Sequence, residues 1–155
     1  MTKPPKEPRV RILRISDYPS VYALWKKTEG IGLSESDTRE AIARFLKRNR
    51  NLSLVAADGR RIVGTILCGH DGRRGYLHHL VVVPAIRRRG LARKLVGLCL
   101  EKLHAEGIPK CNLFLFASNT PGKAFWRRIG WNVRADLRLV QRNTVGSCGS
   151  CKKSC

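Results

Sequence analysis

The stretch from Tyr76 to Leu103, YLHHLVVVPAIRRRGLARKLVGLCLEKL, limits this chain more than any other. A β-branched apolar run, Leu80 to Val83, stops at Pro84. A basic loop and Gly90 follow. Apolar residues then recur at Leu91, Ala92, Leu95, Val96, Cys99 and Leu103. That spacing is helical, so the stretch predicts a buried strand, a tight basic turn and an amphipathic helix. Arg87, Arg88 and Arg89 then stand at the helix N-terminus, where positive charge opposes the helix dipole. The conflict is resolved if an anion sits there, because the first backbone amides of a helix have no partner within it. Gly90 and Ala92 leave room for a ligand to approach the backbone. These residues read as a diphosphate-binding turn.

The rest of the chain falls into elements around this one. Val10 to Ile15 reads as an outer strand, and Thr2 to Pro8 before it as a tail. Ser16, Asp17 and Pro19 start a helix whose apolar face is Tyr18, Val21, Tyr22 and Trp25. A loop from Thr28 to Ser36 leads to Asp37-x-x-Glu40, a capping box for a second helix with Ile42, Phe45 and Leu46 on its apolar face. Leu52–Ala57 and Ile62–His70 read as strands joined by an Asp58-Gly59 turn. Asp71 to Gly75 turns the chain into the central strand. Gly107 and Pro109 stop the central helix, and Cys111 to Ala117 reads as a strand buried on both faces. Ser118 to Pro121 caps a short helix that Gly130 ends. Trp131–Arg134 and Leu137–Arg142 read as the last strands. The order predicts one mixed α/β domain.

A net charge of +20 draws polyanions: nucleic acid, a ribosome, an anionic membrane or an anionic cofactor. A plain basic surface explains the charge equally well. No aromatic strand pattern of the RRM type accompanies it, so nucleic acid and ribosome stay open as partners without being favoured. The start, MTKPPKEPRV, has no apolar core behind its charges, and no apolar run approaches the roughly 20 residues that span a membrane. The expectation is a cytoplasmic protein with reduced cysteines and no membrane partner. Cys68, Cys99 and Cys111 lie in apolar segments as core residues. Cys148, Cys151 and Cys155 lie in a Gly/Ser/Lys tail and fall short of a four-ligand metal set.

Two segments resemble one family. Arg87-x-x-Gly90-x-Ala92 behind Leu80-Val81-Val82-Val83-Pro84 is similar to the acyl-CoA signature of the GNAT N-acetyltransferases. Asn119-x-x-x-x-Ala124-Phe125-Trp126-x-x-x-Gly130-Trp131 resembles the same family's next conserved segment. The likeness runs from about Val10 to Arg142. It implies the α/β GNAT fold: a mixed, mostly antiparallel sheet of about seven strands with four helices. The fourth and fifth strands, here Tyr76–Val83 and Cys111–Ala117, would splay around the pantetheine arm. It places a catalytic domain at 10–142 between tails at 1–9 and 143–155. It implies acetyl-CoA as co-substrate, no metal, and a small-molecule or peptide primary amine as acceptor. A homodimer stays open.

By the same resemblance, Leu80, Val81 and Val82 offer backbone hydrogen bonds to pantetheine. Arg87, Arg88, Arg89, Gly90, Leu91, Ala92 and Arg93 form the pyrophosphate turn. Asn119 bonds the pantetheine arm, with an N-cap as its ordinary alternative, and Phe125 counts among the cofactor residues. Trp126 stands where relatives carry a Tyr that protonates the departing thiolate; an indole N–H can donate a hydrogen bond but is no practical acid. Phe114 stands where some relatives carry a Glu base. Other relatives put a base on the fourth strand, where His78 and Tyr76 share one face by alternation, with His79 on the other. His78 is the candidate base, since a histidine titrates near neutrality. Glu29 and Glu35, in the loop between the first two helices, are candidates to draw in an ammonium. If His70 pairs with Tyr76, Cys68 faces His78 and acyl-Cys chemistry becomes an option. The competing reading of the whole chain is a catalytically weak CoA-binding or RNA-binding module, favoured by the missing Glu and Tyr.

Overall fold

The computed structural model describes residues 7–145. Cys148, Cys151, Cys155 and the first six residues lie outside the described residues. The chain divides into two compact units, Met1–Thr120 and Pro121–Cys155. The first holds β1 (Arg9–Ile12), α1 (Tyr18–Lys27), α2 (Arg39–Arg48), β2 (Leu54–Asp58), β3 (Arg61–His70), β4 (Gly75–Val82), α3 (Leu91–Ala105) and β5 (Cys111–Leu113). A fourth helix, α4 (Thr120–Arg128), begins at its last residue and runs into the second unit. Among the described residues no helix is long and apolar enough to cross a membrane.

The strands lie in chain order in one sheet, antiparallel except for the parallel pair β4–β5. Val63 to Gly69 of β3 is buried without a break because both faces of the sheet are covered. On one face Val21 and Trp25 of α1 and Ile42 of α2 pack on Val55, Leu67 and Val81. On the other, Leu91 and Leu95 of α3 lie over Gly64 of β3, and Cys99 donates to the Leu52 carbonyl. Pro19 and the two lysines at the end of α1 follow helix-end chemistry, with Pro in the first turn and cations in the last.

The sheet departs from regular alternation at one place. Thr65 pairs with Val81 and Leu67 with His78, so β4 carries one residue more than β3 between these pairs. The extra residue is His79, with a left-handed φ of 49°. That is a β-bulge. It is pinned from the core: Trp25 Nε1 donates to Thr65 Oγ1 at 3.0 Å, and Thr65 Oγ1 donates to the His79 carbonyl at 3.1 Å. The bulge shifts the pleat by one residue. His78 meets Phe45 of α2, yet His79 meets Trp25 of α1 on the same side of the sheet, and Val81 follows there. The expected placement of His79 on the opposite face is therefore corrected.

Four other expectations change. The sheet has five strands among the described residues, not about seven. Residues 132–145 are exposed, and Arg138 donates to the Ala135 and Leu137 carbonyls while Arg134 pairs with Asp136. The segment spends its polar groups on itself rather than on a ladder. Of the expected strand Cys111–Ala117 only Cys111–Leu113 pairs, and Phe114 and Phe116 are exposed. The capping box also moves. Thr38 caps α2 through the Ala41 amide, while Asp37 accepts the Ser34 amide in the turn before it. Finally, Asp71 takes the Arg73 and Arg74 amides, which closes His70 onto Gly75 and sets Cys68 opposite Leu77. Cys68 then faces α3, where its hydrogen bond with Cys99, and burial after it, push its thiol up. No Cys68–His78 pair exists, and a thiol so raised is no nucleophile.

Thr65 is the joint of this arrangement. Thr65→Val keeps the shape but leaves the Trp25 indole and the His79 carbonyl without a partner. Chemical denaturation is expected to show a loss of about 1–3 kcal/mol, largely recovered in Thr65→Ser.

Candidate active site

β4 leads into the basic turn. A short 3-10 turn, Pro84–Ile86, carries the chain off the sheet, with the Arg87 amide on the Pro84 carbonyl. Arg88 and Gly90 are both left-handed, at φ 62° and 79°. Successive amides turned this way form a concavity that suits an anion. The Lys94 amide closes the first turn of α3 onto the Gly90 carbonyl at 2.9 Å. The amides of Leu91, Ala92 and Arg93 thus have no partner inside the helix. Nothing lies within 4 Å of where a Cβ on Gly90 would stand, so the turn is open to a ligand. Arg88, Arg89 and Arg93 are exposed around it. This donor set, all amides and guanidinium groups, fits a diphosphate. Arg87 is partly committed elsewhere, since its Nε donates to the Val82 carbonyl at 2.8 Å.

That contact also reports the direction of the strand. The Val83 amide bonds the Val63 carbonyl at 2.9 Å. In an antiparallel ladder the next residue back, Val82, then turns its amide and carbonyl away from β3. On that side β5 has already left: β4–β5 pairing ends at Leu77 and Leu113, five residues before β4 does. The open flank of β4 holds the backbone groups of Val82 and, by the same alternation, Leu80, while Val81 turns its own toward Thr65.

Upstream of the bulge, Tyr76 and His78 stand side by side, ring centroids 6.4 Å apart, as alternation requires. Phe114 lies 6.2 Å from Tyr76 and 6.3 Å from His78. Phe45 meets His78 edge-on. Burial among these rings, with the neighbouring His79 adding to it, lowers the His78 pKa from the ordinary 6.5. The imidazole is neutral at pH 7.

The loop between α1 and α2 borders the same region. A Cβ on Gly32 would stand 2.8 Å from Phe116 Cζ, so the bare glycine backbone lets that ring lie against the loop. Gly30 sits beside the Asn119 side chain. Glu29 and Glu35 are both exposed. The loop is anchored by a bond that sequence reasoning missed: Asp37 Oδ1 meets His79 Nε2 at 2.6 Å, with both side chains largely buried. The capping-box spacing marks Asp37 as a helix cap, and alternation puts His79 on the other strand face. Only the acid-rich character of the loop hinted at a basic partner. Trp126 and Phe125 belong to the second unit, where Trp126 is buried against Trp131 and Arg128 lies over Phe125. Their assigned parts rest on resemblance.

With this geometry in view, comparison with known proteins decides the family. The model of the Acetyltransferase (GNAT) family matches residues 18–131. The chain belongs to the GNAT acetyltransferase family. It is 29% identical to acetyltransferase SG1711 of Sodalis glossinidius over 136 residues, which cover 88% of this chain and 95% of that one. The GNAT fold recurs in Ard1 from Thermoplasma volcanium, with a TM-score of 0.73 at 17% identity over 84% of this chain and 86% of that one. PaiA N-acetyltransferase from Thermoplasma acidophilum, solved in complex with coenzyme A, has a TM-score of 0.72 at 20% identity, covering 83% and 92%. As a GNAT N-acetyltransferase the protein takes its acetyl group from acetyl-CoA.

The His79–Asp37 bond joins the loop between α1 and α2 to the bulge. Asp37→Asn and His79→Gln are each expected to lower stability. A double-mutant cycle read by denaturation should give a coupling of about 1.5–3 kcal/mol, as for a charge-assisted bond.

Proposed function

We propose that this enzyme moves an acetyl group from acetyl-CoA to a primary amine by direct attack within a ternary complex, using residues 10–142 as its catalytic domain. The observation that carries the reading is the open turn at Arg88–Gly90, with unpaired helix amides behind it, at the end of a strand whose flank is free. In this reading Arg88, Arg89, Gly90, Leu91, Ala92 and Arg93 hold the pyrophosphate. Arg87 braces the turn through Val82. Leu80 and Asn119 bond the pantetheine arm, which lies where β4 and β5 splay apart beyond Leu77; Val81, paired with Thr65, turns its amide and carbonyl toward β3 and supports the strand instead.

Acetyl-CoA supplies the thioester. The Val82 amide, turned away from β3, donates to the thioester carbonyl and to the oxygen as charge develops on it. Glu29 or Glu35, at the rim, draws in the ammonium form of the acceptor. His78, neutral in its ring surroundings, takes the proton that the amine must lose, directly or through a water. Tyr76 orients the imidazole from the same strand face. A thiol titrates near 8.5, so CoA leaves as thiolate without an obligatory acid. That tolerates an indole at Trp126 where relatives have a phenol. A cradle that orients both partners can supply more of the rate than the base does.

Two measurements test this reading. In calorimetry, Arg88→Gln and Arg89→Gln should each weaken acetyl-CoA binding about threefold to tenfold, with losses that shrink as salt rises. An unchanged affinity in both variants removes the cradle. The second concerns pH. Since burial lowers the His78 pKa, the base loses its proton at a lower pH than an ordinary imidazole. At saturating substrates the acid limb of kcat should have its midpoint below the ordinary 6.5. His78→Gln should lower kcat about 10²–10⁴-fold and abolish the acid limb.

A further inference from the structure

We infer that the acceptor amine is carried on a flat aromatic ring, and that Tyr76, His78 and Phe114 seat that ring. The inference rests on the acetyltransferase reading above and adds the chemical class of the acceptor. Three rings form a triangle with centroid separations of 6.2–6.4 Å, and their planes lie within 13–34° of one another. Phe45 closes one side at 81° to His78. Phe114 is 59% exposed and Phe116, whose tip rests on the acceptor-side loop, is 57% exposed. An aromatic surface left open beside a reactive site marks a place for an apolar partner.

The charged groups point the same way. Asp37, a buried carboxylate of this region, is already bonded to His79 and Ser34. Glu29 and Glu35 sit in solvent at the rim. Among the described residues no acid stands among the rings to hold a second ammonium, and the net charge of +20 repels a polycation. A singly charged amine on a ring suffers least from both. Its ring stacks or meets edges with the three protein rings, and its amine points along β4 toward His78 and Val82. Two sources share this chemistry: a free arylalkylamine, and a peptide whose first residue is aromatic. Phe114 is the specificity-determining residue. It occupies the place where relatives carry a catalytic Glu, and in this chain that place gives acceptor contact.

The test measures CoA release from acetyl-CoA with four acceptors: 2-phenylethylamine, a short Phe-initiated peptide amide, 2-cyclohexylethylamine and spermidine. Phenylethylamine and its saturated counterpart carry the same carbons, so their ratio reads the flat ring alone. The expected kcat/KM is about threefold to tenfold higher for the planar ring, with spermidine slowest. Whichever ring-bearing acceptor leads supports the inference and names the source. Phe114→Leu should raise KM for phenylethylamine, erase the preference over the saturated amine and leave KM for acetyl-CoA unchanged. Turnover of spermidine or the saturated amine as fast as the ring amines overturns the inference while the enzyme reading stands. So does a preference that survives Phe114→Leu. Absence of turnover with all four, while acetyl-CoA binds, overturns both.

Discussion

The bond from Thr65 to the His79 carbonyl governs the arrangement of this molecule. It holds one residue of β4 in a left-handed conformation that is uncommon outside glycine and that histidine tolerates better than most side chains. The cost is met by a closed chain of partners. The Trp25 indole donates to Thr65, Thr65 donates to His79, and the His79 ring bonds Asp37, which takes the Ser34 amide. No buried side-chain nitrogen or oxygen among the described residues lacks a partner. A network so fully satisfied has one low-energy geometry, because breaking any link strands a buried polar group.

The functional surfaces follow from that geometry. Below the bulge, Tyr76 and His78 face α2. Above it, the pleat has shifted, so Val81 faces the core that His78 also faces, and Val82 turns its amide to the open flank. Without the extra residue, strict alternation would send either the imidazole or Val81 to the wrong side. The same network ties the loop between α1 and α2 to the strand through Asp37. One buried cluster thus sets both the loop between α1 and α2 and the strand along which the cofactor arm is proposed to lie.

Much of this was open to reading in the chain. The strand, turn and helix from Tyr76 to Leu103 were legible because their signals are local: Pro84 ends the strand, Gly90 permits a left-handed turn, and helical spacing marks α3. The alternation of Tyr76 and His78 was legible for the same reason. The partner of Asp37 and the face of Cys68 were not. A carboxylate near a helix start reads as a cap, and nothing within ten residues names a histidine 42 positions away. Cys68 is the core residue its apolar segment suggests, but which face it takes stayed conditional, because one residue of hairpin register, set by Asp71 taking two amides, decides it. The C-terminal strands failed because apolar alternation at Leu137 and Leu139 says nothing about whether an edge is there to receive it.

Sequence alone determined the basic strand-turn-helix and the order of the four helices and first five strands, since each depends on backbone preferences and side-chain period over a few residues. It also carried the two segments that place the chain among the GNAT acetyltransferases. The tertiary structure decided which face His79 takes, what Asp37 bonds, where β5 parts from β4 and which rings gather around His78. Those outcomes depend on partners far apart in the chain, whose hydrogen bonds are worth making only once the core has excluded water around them.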